Sequence, residues 1–328
     1  MKKIINDPNN VVAETLEGLA LSNPDLIYVP ELEVIARKEK TGKVGIVSGG
    51  GSGHEPAHAG FVGEGMLDAA VAGHVFASPS PDRILEGIKR ADSGKGVLLV
   101  IKNYSGDIMN FELAAEMAEM EGIEVDYVVV KDDVAVEDST YSAGRRGIAG
   151  TIYVHKIAGA KAQAGGTLAE VKAAAEKAIE NIRSMGMSLS ACTIPAAGKP
   201  NFTIEDDKME IGMGIHGEPG IKRVDLMPSK EIAKTLLNHI FEDMDFDGSN
   251  VALMVNGLGT TPPMELYILN KDVHEELEKR NITVESNLVG NYMTALDMGG
   301  CSITLMKLDD ELRELLNASC QTPALTIR

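Results

Sequence analysis

The sequence predicts an α/β fold: two α/β lobes, each with a central mostly parallel or mixed sheet flanked by helices. Short aliphatic runs alternate with segments of helical period through residues 1–185, the mark of strands joined by crossover helices. The alternation resumes over residues 186–328. Only 4% of residues are aromatic and Trp is absent, so the cores must be built from aliphatic side chains, Met and Ala. At 328 residues and 44% hydrophobic content the chain is long enough for two of them.

In chain order, a helix is expected over Val11–Ala20 and a strand over Val44–Val47. Ser78-Pro79-Ser80-Pro81-Asp82 caps a helix running to Asp92, with proline in the first turn where its missing N–H costs nothing. Strands follow at Gly96–Ile101 and Val125–Val130, with a helix over Asn110–Met120 between them and another over Gly144–Ala164 after them. Gly165-Gly166 punctuates, and Thr167-Leu168-Ala169-Glu170 reads as a capping box opening an Ala-rich helix to about Met185, which bridges the lobes. Strands are then expected at Ser190–Ile194, Met209–Ile215, Val251–Val255, Thr283–Glu285 and Ser302–Met306, and helices near Lys230–Phe241, Pro263–Lys279 and Asp309–Leu316.

Charge narrows the function. Asp and Glu number 49 against 31 Lys and Arg, a net charge of −18, which argues against nucleic acid and anionic membranes as partners. Cys192, Cys301 and Cys320 are odd in number with no CxxC pair, so a disulfide framework is not expected and a reducing cytoplasm is. No signal-peptide core follows Met1-Lys2-Lys3, and apolar runs such as Gly96–Ile101 stop far short of the ~20 residues that cross a bilayer. A soluble protein with a small-molecule site is the expectation.

The densest signal is Gly49-Gly50-Gly51-Ser52-Gly53-His54-Glu55-Pro56-Ala57-His58, a strand end running into five small residues and an expected helix start, a place where free N–H groups meet an anion or hydroxylated ligand. A P-loop is excluded because no lysine stands between Lys43 and Lys89. A dinucleotide fingerprint fails at His54, where a small residue is required. His54–His58 satisfies HExxH, but Pro56 is tolerated only in a first helical turn, which leaves His54 outside the helix and the imidazoles unconverged; no third ligand is evident apart from His74. A plain tight turn needs fewer than four glycines, so a ligand loop is preferred.

Two further stretches stand out. Lys102-Asn103-Tyr104-Ser105-Gly106-Asp107 follows the most strand-like run, where an open parallel sheet lines its ligand crevice, so Lys102, Asn103 and Asp107 are expected to face the glycine loop. Asp107 reads equally as a general base toward a substrate hydroxyl and as the cap of a helix starting near Ile108. In the second lobe His216, flanked by Gly214 and Gly217, is sterically unencumbered. His58 is a neighbour only, and His74, His155, His239 and His274 are given no role. Asp132–Asp138 reads as a solvated acidic loop more readily than as a metal site. Arg145 and Arg146 are expected to be held by carboxylates, and Val255–Thr261 serves ligand binding or interlobe packing equally well.

Six stretches in order, Gly49–Pro56, Lys102–Asp107, Ala143–Gly147, Pro195–Pro200, Gly214–Gly220 and Leu296–Met298, resemble the ketone-binding subunit of dihydroxyacetone (glycerone) kinases. The likeness spans about residues 5 to 326, and implies that both lobes form one domain of that family. It implies that His216 adds through a ring nitrogen to the ketone carbon, giving a hemiaminal, a selectivity for carbonyls over alcohols such as glycerol. His54 would then hydrogen-bond the ketone-derived oxygen, Asp107 act as base toward the hydroxyl that receives phosphate, and Gly51, Ser52, Gly53 and Lys102 contact substrate oxygens. No metal or cofactor is expected in this chain: ATP or ADP and magnesium belong to a separate nucleotide-carrying L subunit, in many bacteria recharged from phosphoenolpyruvate. Homodimerisation is also implied. A non-catalytic co-regulator of the same family that senses dihydroxyacetone is the alternative.

Overall fold

A computed structural model describes residues 2–40, 42–135, 144–200 and 202–328. The first lobe runs α1 (Val11–Ser22), β1 (Leu26–Val29), β2 (Val34–Arg37), β3 (Gly45–Ser52), β4 (Ala69–Val75), α2 (Pro81–Ala91), β5 (Val97–Lys102), α3 (Ser105–Met120) and β6 (Val125–Val130). Its strands lie in the order β1-β2-β4-β3-β5-β6. β3 is parallel to β4 and β5, and β5 to β6, whereas β2 is antiparallel to β1 and β4. Every residue of β3 and β5 is buried, as central strands of a parallel sheet covered on both faces must be.

Two helices follow, α4 (Thr151–Gln163) and α5 (Leu168–Glu180). The second lobe then comprises β7 (Ile182–Ser190), β8 (Lys208–Ile211), β9 (Lys222–Asp225), α6 (Ser229–Asp243), β10 (Asn250–Gly257), α7 (Pro263–Glu278), β11 (Thr283–Gly290), β12 (Gly299–Lys307) and α8 (Asp310–Asn317), ending in the pair β13 (Cys320–Gln321) and β14 (Thr326–Ile327). The sheet order is β11-β10-β12-β7-β8-β9, with only β10 and β11 parallel. α4 is buried nearly all round, the signature of a helix inside a core rather than on it. One apolar cluster joins Ile46 and Leu98 of the first sheet, Ile152 and Ile157 of α4, and Ala252, Met254 and Met306 of the second. The lobes therefore share a core.

Several expectations are corrected. The Thr167–Glu170 capping box is present, but α5 stops at Glu180 instead of Met185, and Ile182 already starts β7 of the second sheet. The strand expected at Ser190–Ile194 is displaced: β7 ends at Ser190, and the Thr193 N–H goes to Asp297 Oδ1. β8 ends at Ile211 because Gly212 turns the chain with φ +79°. No α-helix opens at Pro56; with Gly60, Gly63 and Gly65 close behind, each costing about 1 kcal/mol in a helix, the segment makes only a 3₁₀ turn at Ala59–Phe61. α3 begins at Ser105, five residues before the expected start, and α4 at Thr151. The strands β1, β2, β4 and β9 had no expectation. Val136–Ala143, which include part of the acidic loop and Tyr141–Ala143, lie outside the described residues.

Candidate functional site

Three segments converge at the lobe interface. The end of β3 supplies the first. Gly50, at φ +150°, leaves room for Lys102: a Cβ there would lie 2.4 Å from Lys102 Nζ and 3.3 Å from Asp107 Oδ2. Gly53, at φ +104°, leaves room for Phe76, whose Cε1 would be 2.8 Å from a Cβ. The glycines are thus explained by close approach, and the side chains that take their space belong to the site.

The second segment is the end of β5 and the first turn of α3. Lys102 and Asp107 are both buried, with Lys102 Nζ 3.4 Å from Asp107 Oδ2. Asp107 is not the helix cap, which is Tyr104; it lies inside the first turn, where the helix dipole favours a carboxylate. Its Oδ1 has no hydrogen-bond partner. Asn103 turns elsewhere, its amide donating to Arg145 O at 2.7 Å.

The third segment is the turn after β8. His216 N–H donates to Glu218 Oε2 and His216 Nδ1 to Glu218 Oε1, both at 2.9 Å. Burial raises the Glu218 pKa, but the hydrogen bond and charge of His216, with Arg146 beside it, outweigh that and pull it down to about 2. Arg146 is itself fully buried and donates to Asp133 Oδ2 and Gly212 O, each at 2.8 Å. Asp132 accepts from Ile148 N and Gly150 N at 2.8 Å, so this acidic pair is buried structure and not a solvated loop.

His54 and His216, 162 positions apart, meet with their Nε2 atoms 3.0 Å apart. His54 Nδ1 donates to Thr294 O at 2.7 Å. Asn256 at the end of β10 holds that carbonyl's segment by donating to Met293 O and accepting from Tyr292 N and Met293 N. Asn256, in the Val255–Thr261 stretch, thus braces from within the second lobe the segment that reaches His54. Burial, then the proximity of His216 and Lys102, holds the His54 pKa well below the ordinary imidazole value. With both Nδ1 atoms donating to oxygen, the two Nε2 atoms are left to face each other and whatever binds between the lobes. Phe76 stacks on His54 at 5.3 Å and meets His216 edge-on at 5.2 Å; Tyr104 meets His216 at 4.6 Å.

Of the residues expected to form the site, His54, His216, Lys102, Asp107 and the Gly51–Gly53 backbone are brought together. Ser52 Oγ, however, is engaged by Gly73 O at 2.8 Å. His58 diverges from His54, with Nδ1 3.3 Å from Ser48 Oγ and its ring beside His155, so the HExxH pattern does not bring two imidazoles to one point. A cavity of about 710 Å³ opens along the glycine strand beside Leu16 and His58 without including His216; convergent chemistry, not volume, places the candidate site. Sequence reasoning missed Glu218, Phe76 and Thr294. Glu218 was detectable, since His216-Gly217-Glu218-Pro219 echoes His54-Glu55-Pro56.

Fold and site together define an α/β protein of two six-stranded sheets with a part-buried histidine pair bridging its lobes. Residues 17–324 match the Dak1 domain, and the chain belongs to that family. It is 54% identical over 314 residues, 95% of each chain, to the "PTS-dependent dihydroxyacetone kinase 1, dihydroxyacetone-binding subunit DhaK" of Listeria innocua. Among solved structures it is similar to the "Dihydroxyacetone kinase operon co-activator Dha-DhaQ", at 39% identity and TM-score 0.88 over 95% of this chain and 97% of that one. It is also similar to the dihydroxyacetone kinase of C. freundii, at 35% identity and TM-score 0.88 over 99% of this chain and 60% of that one. No helix among the described residues is long and apolar enough to cross a membrane.

Proposed function

We propose that this chain is the substrate-binding subunit of a dihydroxyacetone kinase, a phosphotransferase whose phosphate donor is carried by a separate subunit. The observation that carries the reading is the His54–His216 pair, with Glu218 behind it and Lys102 and Asp107 beside the same glycine strand. Glu218 holds His216 Nδ1 as a donor and aims Nε2 toward His54. His216 Nε2 attacks the carbonyl carbon and a C–N bond forms. The carbonyl π pair moves to oxygen, the ring takes a positive charge that Glu218 balances through Nδ1, and the alkoxide is protonated from solvent, leaving a hemiaminal hydroxyl that donates to His54 Nε2. Only a carbonyl offers this electrophilic carbon, so glycerol is not captured. Asp107 Oδ1 then accepts the proton of the terminal hydroxyl as its oxygen attacks phosphorus and the bond from phosphorus to the donor's leaving oxygen breaks on the partner subunit, while Lys102 with the Gly51–Gly53 backbone holds the substrate oxygens.

In this reading the nucleotide and its magnesium reside on the partner L subunit, recharged from phosphoenolpyruvate, and the chain works in the cytoplasm as a homodimer. Likeness to a named operon co-activator favours a second reading, a dihydroxyacetone sensor that captures without transferring. Native mass spectrometry with dihydroxyacetone tests the capture: wild type gains one ketone mass per chain and His216→Ala does not. An adduct retained in His216→Ala overturns the assignment. Phosphorylation with the cognate nucleotide subunit separates the readings, since an adduct without turnover leaves the sensor.

A further inference from the structure

Phe76 immediately follows β4 and holds φ +58°, a left-handed conformation that bulky L residues seldom adopt. Its N–H donates to Ser52 O at 2.9 Å, which ties this backbone to the end of the glycine strand. Strain of this kind persists where the surroundings impose it, and it concentrates at functional sites. Here it delivers the ring against both imidazoles, stacked on His54 and edge-on to His216. Gly53 supplies the space on one side of the ring. Tyr104, which also meets His216, is 5% exposed, whereas Phe76 is only half buried. The Phe76 ring is therefore an apolar wall that touches both members of the histidine pair. It offers no hydrogen bond, so a hydroxyl pressed against it is left unpaired and pays the desolvation cost.

Resting on the ketone-capture reading, we infer that Phe76 sets the chain length of the carbonyl compound that His216 takes. A three-carbon ketone keeps its hydroxyls among Lys102, Asp107 and the glycine backbone. The extra hydroxymethine of a four- or five-carbon ketose competes for the volume of the ring and meets no polar partner there.

The test compares dihydroxyacetone with erythrulose, a four-carbon ketose, in wild type, Phe76→Gly and Phe76→Leu. Glycine removes the ring and relieves the left-handed backbone; leucine keeps an apolar side chain of smaller reach. Native mass spectrometry gives adduct constants, and coupled turnover gives kcat/KM. The erythrulose-to-dihydroxyacetone ratio is expected to rise about 10-fold or more in Phe76→Gly, with a smaller rise in Phe76→Leu. Loosening of His54 lowers both substrates together and cancels in the ratio. A ratio unchanged in both variants, with the dihydroxyacetone adduct intact, overturns the role of Phe76. Absence of any adduct in wild type overturns the capture reading instead, so the two failures are distinguishable.

Discussion

Replacing Glu218 with glutamine removes a negative charge while keeping an oxygen where the His216 Nδ1 proton points. The carboxylate is 4% exposed. Its fall from 4.5 to about 2 against the opposing effect of burial corresponds to about 3 kcal/mol of preference for the ionised form. His216 and Arg146 share that preference. A hydrogen bond to a charged group is worth about 1.5–3 kcal/mol, so the part belonging to His216 converts to a roughly 10- to 100-fold weaker ketone adduct in Glu218→Gln. Titration with dihydroxyacetone followed by native mass spectrometry reads this directly. Ring ¹⁵N shifts of His216 report whether Nδ1 is still the donor, which a merely structural role would leave unmoved. An adduct constant within about twofold of wild type, with those shifts unaltered, would refute the claim that Glu218 prepares the nucleophile. The pH sign follows from the depressed folded pKa. The contribution of Glu218 to stability is fully present above about 4.5 and is lost as pH falls toward 2. The stability gap between wild type and Glu218→Gln should therefore close across that window.

Asp107→Asn is expected to keep the adduct within a few-fold while lowering phosphoryl transfer by about 10²–10⁴, the range for loss of a general base; unimpaired turnover in a coupled assay would remove Asp107 from that role. Lys156 is buried on α4 and donates to Leu315 O of α8 at 2.7 Å. Burial, partly offset by Cys320, lowers its pKa to about 8. Between pH 8 and 10.5 the unfolded chain binds the extra proton, so this group makes the fold more stable as pH rises through that window. Lys156→Met should abolish that increment, and the difference between the two melting temperatures plotted against pH is the measurement.

Helix positions were readable where a local rule acts alone. Pro81 in a first turn and Thr167 reciprocally bonded to Glu170 give the starts of α2 and α5 from neighbouring residues only. β1 and β2 have four residues each and become strands by pairing with each other and with β4, so their own composition carried little signal. The same division runs through the site. The glycines beside His54 and His216, and the carboxylate at Asp107, were legible as places where backbone or charge can meet a ligand. That Gly50 makes room for the Lys102 ammonium, or Gly53 for the Phe76 ring, was not.

From the sequence alone came the α/β class, the acidic surface charge, the family resemblance and the candidates His54, Lys102, Asp107 and His216, because backbone preference and residue chemistry are properties of short segments. Tertiary structure decided that His54 Nε2 faces His216 Nε2 at 3.0 Å, that Thr294 and Glu218 set which nitrogens donate, and that Phe76 walls the pair. Those contacts join residues as far apart as His54 and Thr294, and their distances depend on sheet order and on the core shared by the two lobes. No local pattern encodes either.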